Sequence, residues 1–301
     1  MMRFGTIAGG ADLVYTVGNE VFHEDEYMKD QTCAIHPSAI IDAGAEVGAG
    51  VEVGPGAVIG SGVKVGDGCR IGPHAVLQGP LVLGEACVIS ASAAIGHDPQ
   101  VKGDAGPFGG TIIGARNTFR EFSQVHRSKY PDQHTIIGDD GYFMACSHIA
   151  HDCRVGDEVI MVNNAVLAGH VLVADRVFMS GNSGIHQFCR VGELSMIAGG
   201  AIATQDVPPF ITVTGMRPAR AQGLNLVGLR RAGVTVEVRR DLKSAYQILF
   251  RSDLPLSQRL EAVQVNCREV EQLVAFLASS ERGVVGFGGR PPGPAGATSR
   301  P

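Results

Sequence analysis

The chain has 301 residues, a formal net charge of −5, 41 glycines and no tryptophan. That length can bury a large core, and the acidic balance argues against a general nucleic-acid binder. With no run of eighteen or more apolar residues and no signal peptide, a soluble cytoplasmic protein without stable membrane insertion is expected.

Residues 1–27 show no period and are expected to form an N-terminal extension, disordered or lying upstream of the true start. From Ile35 the chain repeats every six residues. Ile41, Val47, Val53, Ile59, Val65, Ile71, Leu77, Leu83, Ile89 and Ile95 keep the step. A second run keeps it from Ile137 through Ile149, Leu167 and Ile185 to Ile197. Four places after each aliphatic sits a mostly small residue. Glycine often follows the aliphatic directly, as at Gly48, Gly54, Gly66 and Gly156. A six-residue period is the signature of a parallel β-helix, with one short strand and one corner per hexad. The aliphatics fill the interior, and the glycines are expected to relieve the corner dihedrals.

Three hexads close one triangular coil, so residues 18 apart stack about 4.8 Å from each other. His151, Gly169 and Gln187 then form one column; Asp152, His170 and Phe188 form the next; Ala150, Ala168 and His186 form a third. These columns gather histidines on one outer corner. Cys33, Cys69 and Cys87 share the small interior slot, and the seven cysteines, without a C-x-x-C spacing, read as buried thiols.

Two stretches break the period. Residues 97–112 and 127–135 are polar or rich in proline and glycine and read as loops thrown out of the coils, where function concentrates. The coils run to about Ile202, and Asp206-Val207-Pro208-Pro209 is expected to end them. Beyond Ala221, Leu224, Val227 and Leu229, then Leu242, Ala245, Leu249 and Phe250, recur at helical spacing, with further helices over 256–265 and 267–279. Between 216 and 270 ten basic residues face five acidic ones, a basic module on an acidic prism that suggests an anionic partner. The domain organisation is therefore an extension (1–27), a β-helix (28–215), a helical domain (216–285) and a Gly/Pro-rich disordered tail (286–301).

A neutral imidazole at His151 can accept a hydroxyl proton, and the Asp152 carboxylate would stabilise the imidazolium that forms. The Gly169 N–H could approach a developing oxyanion. A metal site is the rival. His148 and His151 are three apart, and an 18-residue step places Ala115 two coils before His151 and Ile112 before His148, so no metal and no cofactor is expected.

The segments HPSAIID (36–42), HIAHDC (148–153), NNAVLAGH (163–170), GIHQFC (184–189), QDVPP (205–209), GLNLVGLRRAG (223–233) and AYQILFRS (245–252) resemble the acyl-carrier-protein-dependent UDP-N-acetylglucosamine O-acyltransferases, over about residues 28–282. The resemblance implies an all-β solenoid, a left-handed parallel β-helix with a small C-terminal α-helical domain. It also implies a homotrimer with active sites between subunits. By that resemblance His151 is the general base for the sugar 3-hydroxyl, which attacks the thioester of a 3-hydroxyacyl chain on acyl carrier protein, in the first step of lipid A synthesis. Asp152 supports His151, and the Gly169 N–H holds the oxyanion.

The same resemblance places His148, His170, His186 and Gln187 along the nucleotide-sugar and acyl pocket. It puts Lys102 and His126 on the facing wall, and Asn225 and Arg231 near the nucleotide phosphates. Gly199, thirteen residues after His186, falls where the family measures acyl length, and a glycine there implies a long chain. The departures are Gln100-Val101-Lys102, one residue short and without the family's aspartate, and Ala232 where many members carry arginine. A related N-acyltransferase using a 3-amino sugar nucleotide and a non-catalytic trimeric scaffold are the alternatives.

Overall fold

The structure is a computed structural model that describes residues 14–17, 20–23, 35–103, 106–216 and 219–286. Most of the N-terminal extension and the expected disordered tail lie outside these residues. Within the extension, Val14–Val17 pairs antiparallel with Glu20–His23.

The hexads fold as the period dictates, into two- to four-residue strands joined by tight corners. Successive strands fall in turn on three sheets that run the length of a left-handed parallel β-helix. Sheet I has nine strands, from Ile40–Ile41 to Ile202–Ala203. Sheet II has eight, from Glu46–Val47 to Arg190–Val191. Sheet III has ten, from Glu52–Val53 to Arg220–Leu224, and only that last strand pairs antiparallel. Alternation points one residue of each strand inward. Ile149, Leu167 and Ile185 stack inside sheet I at 0–2 % exposure, each worth about 1.5–3 kcal/mol of apolar burial.

The register departs from a fixed 18-residue step at two places. Leu81 pairs with Thr111, 30 residues on, and Gly110 pairs with His134, 24 residues on. The excursions therefore insert twelve and six residues, whole hexads in each case, and the interior aliphatics stay in phase. Both leave from the corner between sheets I and II. This corrects the stacking expected for the metal reading. Ile112 lies on sheet II beside Val82 and Ile136, whereas His148 stacks on Gln124 in sheet I.

Glycine's role at the corners also differs from expectation. Gly48, Gly54, Gly66 and Gly156 do not have positive φ; the left-handed residue comes two places later, at Gly50, Gly56 and Gly68 and then at Glu158. Gly48, Gly114, Gly138 and Gly156 are needed for close approach. A Cβ on each would meet a carboxylate oxygen of Asp67, Asp139, Asp157 or Asp175 from the next coil at 2.1–2.4 Å.

Pro208 and Pro209 interrupt the coils without ending them, since Ile211–Thr214 still pairs parallel with Met196–Ile197 on sheet III. Among the described residues four helices follow: α1 (Leu226–Arg231), α2 (Val236–Arg251), α3 (Leu256–Ala262) and α4 (Arg268–Ala278). They bury Leu229, Leu242, Leu249, Val270 and Leu273 against Leu194 and Phe210 at the prism's end. The chain then turns back. Asp206 bridges to Val284, accepts from Arg190 Nε (3.1 Å) and Ser280 Oγ (2.9 Å), and Arg190 stacks over Phe276 at 4.5 Å. Among the described residues no helix is long and apolar enough to cross a membrane.

Candidate active site

His151 and Asp152 occupy the corner that follows the strand His148–Ile149 of sheet I. Asp152 has φ +62°, a left-handed conformation that aspartate tolerates better than most residues. His170 and Phe188, one and two coils further on, repeat that conformation at φ +61° and +63°. The predicted column is therefore real, and its rings stack: His170 lies on Phe188 at 4.6 Å and meets His151 edge-on at 5.2 Å.

Asp152 is buried, with 4 % of its side chain exposed against 16 % for His151. The coil beneath it is replaced by the 127–135 excursion, and that excursion supplies its partners. The Asp152 N–H donates to Thr135 Oγ1 (2.8 Å), Ser128 Oγ donates to Asp152 Oδ1, and the Lys129 N–H reaches Oδ2 at 3.4 Å. His151 Nδ1 lies 2.7 Å from the same Oδ2. A carboxylate only accepts, so Nδ1 carries the proton and Nε2 is left as a bare acceptor. His151, Asp152 and His170 offer ligand atoms within 4.8 Å of one another, but the Asp152 oxygens are already taken by these donors. Sequence reasoning missed Ser128, Lys129 and Thr135. The one signal was that a hydroxyl-bearing excursion leaves from the coil directly beneath His151.

Gly169 sits against the imidazole. A Cβ there would meet His151 Cε1 at 2.7 Å and Nε2 at 2.8 Å, so no side chain fits while His151 keeps its place. Its N–H has no hydrogen-bond partner among the described residues, whereas the next N–H, that of His170, donates to His151 O at 3.1 Å.

The other histidines form a desolvated wall. His126 is 7 % exposed, and its Nδ1 donates to Asp98 O. Burial pushes its pKa down, and the Asp98 carbonyl opposes this. His148, 5.1 Å from His126, is lowered to about 4 by burial and by the neighbouring His126 and His151. Burial also lowers His170, against the pull of Asp152. These rings are neutral at pH 7 and offer one donor and one acceptor each. His186 lies 3.2 Å from Arg282, and Gln187 and Lys102 are exposed. Arg127 anchors the Lys102-bearing excursion by bonds to Gly79 O and Asp98. A groove of about 490 Å³ leads from Asp152, His170 and Phe188 toward Arg154, Arg190 and Arg282.

Three predicted residues stand apart from this cluster. Asn225 caps α1, its Oδ1 accepting from the Gly228 N–H (2.9 Å) and its Nδ2 donating to Leu194 O (2.9 Å), so both ends of its amide are engaged. Arg231 is exposed in the last turn of α1. Gly199 lies on the corner between sheets III and I, a different edge of the prism from His151.

With this geometry in view, the comparisons are specific. Residues 206–285 match the family model described as Udp N-acetylglucosamine O-acyltransferase, Domain 2. An acyl-[acyl-carrier-protein]–UDP-N-acetylglucosamine O-acyltransferase from Anaeromyxobacter sp. (strain K) is 46 % identical over 255 residues, covering 83 % of this chain and 99 % of that protein. The chain belongs to the UDP-N-acetylglucosamine O-acyltransferase family. Solved structures of the family agree over most of the chain. The Francisella novicida UDP-N-acetylglucosamine acyltransferase superposes with a TM-score of 0.80 at 32 % identity, covering 83 % of this chain and 93 % of that one. The Campylobacter jejuni enzyme superposes with 0.79 at 35 %, covering 84 % and 99 %. As a member of this acyltransferase family the chain is an enzyme, and the corner around His151 carries the only cluster of three potential ligand-bearing His, Cys, Asp or Glu side chains among the described residues.

Proposed function

We propose that the chain transfers a 3-hydroxyacyl group from acyl carrier protein to the 3-hydroxyl of UDP-N-acetylglucosamine, the first step of lipid A biosynthesis, with His151 as general base. The observation that carries this is the pairing of His151 Nδ1 with Asp152 at 2.7 Å, beside a Gly169 N–H with no partner among the described residues. Nε2 takes the proton of the sugar hydroxyl as its oxygen attacks the thioester carbonyl. Asp152 stabilises the imidazolium, and the Gly169 N–H donates to the oxyanion. When the tetrahedral intermediate collapses, the C–S bond breaks and the thiolate takes the proton back from Nε2.

Two further features support an assembled enzyme. Sheet I turns Ile40, Val58, Val76 and Val166 outward, and sheet II turns out Val82, Ile112 and Leu172, apolar faces that a homotrimer would cover. Gly199 and His151 lie on different corners, so an acyl tail starting at His151 of one subunit reaches Gly199 only across a neighbouring copy. A Cβ at Gly199 would meet nothing closer than Gly181 O at 3.7 Å, which leaves room for a long chain. On α2, Arg240 and Lys243 are exposed and Arg239 half-buried, a basic face suited to an acidic carrier protein.

The test is turnover of the purified protein with a series of 3-hydroxyacyl carrier-protein thioesters, run with UDP-N-acetylglucosamine and with its 3-amino analogue. O-acylation with a long-chain preference supports the reading. A preference for the amine moves the chain to the N-acyltransferases, and no turnover with either sugar leaves a scaffold. Sedimentation of the same sample reads the trimer.

A further inference from the structure

Loops thrown out of a scaffold are where ligand contacts concentrate, yet Ser128 of the 127–135 excursion is fully buried, at 0 % exposure. Its backbone is pinned independently of its side chain. The Ser128 N–H donates to Gly110 O (3.1 Å), and its carbonyl accepts from the Gly109 N–H (2.9 Å). The hydroxyl is therefore delivered to a fixed point. It accepts from the Tyr130 N–H at 3.0 Å, and it has one proton to give. Two acceptors are in reach, Tyr130 O at 3.2 Å and Asp152 Oδ1 at closer range. The ionised carboxylate is the stronger and nearer of the two, so the proton goes to Asp152.

The last torsion of an aspartate joins sp³ and sp² carbons and is soft, so the carboxylate plane turns unless both oxygens are held. Oδ2 is held by His151 Nδ1 and by the Lys129 N–H at 3.4 Å, but on Oδ1 Ser128 is the only donor among the described residues. We propose that Ser128 is a positioning residue, whose hydroxyl locks the Asp152 carboxylate in the plane that keeps His151 Nδ1 protonated and Nε2 free for the sugar hydroxyl. This rests on the reading of His151 and Asp152 as the catalytic pair. It adds a residue that no matched segment of the sequence contains.

The experiment is a double-mutant cycle on the full chain, with kcat and KM measured for Ser128→Ala, Asp152→Asn and the pair, and with Ser128→Thr as the variant that retains a hydroxyl. Ser128→Ala is expected to lower kcat about 10- to 100-fold, the loss typical of a partner to a buried charge, with KM for UDP-N-acetylglucosamine within about twofold. In the Asp152→Asn background the same change should cost less than about threefold, because there is no carboxylate left to align. Ser128→Thr should recover most of the loss. The proposal is overturned if Ser128→Ala turns over normally while Asp152→Asn is crippled, or if its penalty is undiminished in the Asp152→Asn background, as for a merely structural serine. If Asp152→Asn itself turns over normally, the catalytic pair fails, and the proposal fails with it.

Discussion

Two corners of the same prism use aspartate in opposite ways. At the corner between sheets II and III, Asp67, Asp139, Asp157 and Asp175 each accept the N–H of a corner residue one coil earlier, Ala49, Ala115, Asp139 and Asp157, at 2.7–2.9 Å. Each of these four carboxylates satisfies backbone, and a glycine beside it makes room. At the corner between sheets I and II, Asp152 turns to a histidine side chain, and the equivalent backbone donor at Gly169 has no partner among the described residues. The same kind of corner thus serves scaffold at one edge and chemistry at the other. The four scaffold aspartates sit one place before the left-handed residue, whereas Asp152 is itself that residue, and the excursion beneath it surrounds its carboxylate with donors and buries it.

Replacing His151 tests this contrast most severely. His151→Ala should lower kcat about 10²- to 10⁴-fold with the fold intact, since the side chain lies outside the interior stack. Circular dichroism and turnover on one sample check both halves. Gly169→Ala comes next. Its methyl would fall 2.7 Å from His151 Cε1, and displacing a base by a fraction of its hydrogen-bond length should cost about 10²-fold in kcat. Normal turnover would mean that the ring has another productive position.

The scaffold corner should answer differently. Asp157→Asn weakens the bond to the Asp139 N–H and should cost about 1 kcal/mol of stability while kcat stays unchanged. A urea midpoint and a rate measurement separate the two. Loss of turnover would show that the corners are coupled.

The effect furthest from catalysis is in acid. His148 is lowered to about 4 in the fold from an ordinary 6.5. Between those values the unfolded chain binds a proton that the folded His148 refuses, so the contribution of His148 to stability falls as pH drops from about 6.5 toward 4 and changes no further below that. His148→Gln should flatten that slope, as read from thermal midpoints across the range. An unchanged slope would assign the acid sensitivity to other groups.

How much of this could be read in the chain follows from distance along it. The six-residue period placed Ile149, Leu167 and Ile185 inside and stacked His151, Gly169 and Gln187, because neighbouring coils repeat at a fixed step. It also carried the approach of Gly169 to His151. The period said nothing of Ser128 and Thr135, which reach Asp152 through an excursion whose path no repeat dictates. It misplaced the coils below His148 for the same reason. Asn225 was placed near the phosphates because a resemblance matches residue types; the coordinates add that both ends of its amide engage a helix cap and a carbonyl.

The excursions of twelve and six residues behave like insertions that keep a reading frame. A whole hexad, or two, can be spliced into the edge beside His151 and every later aliphatic still lands indoors. A splice of one residue inside a paired strand would instead turn the rest of that strand to the other face. The excursions themselves lie outside the ladders, and Ile137 and Ile149 beyond them remain indoors. The edge that carries the chemistry can therefore be rewritten while the interior is copied without alteration, so a new substrate loop need not be accompanied by a new core.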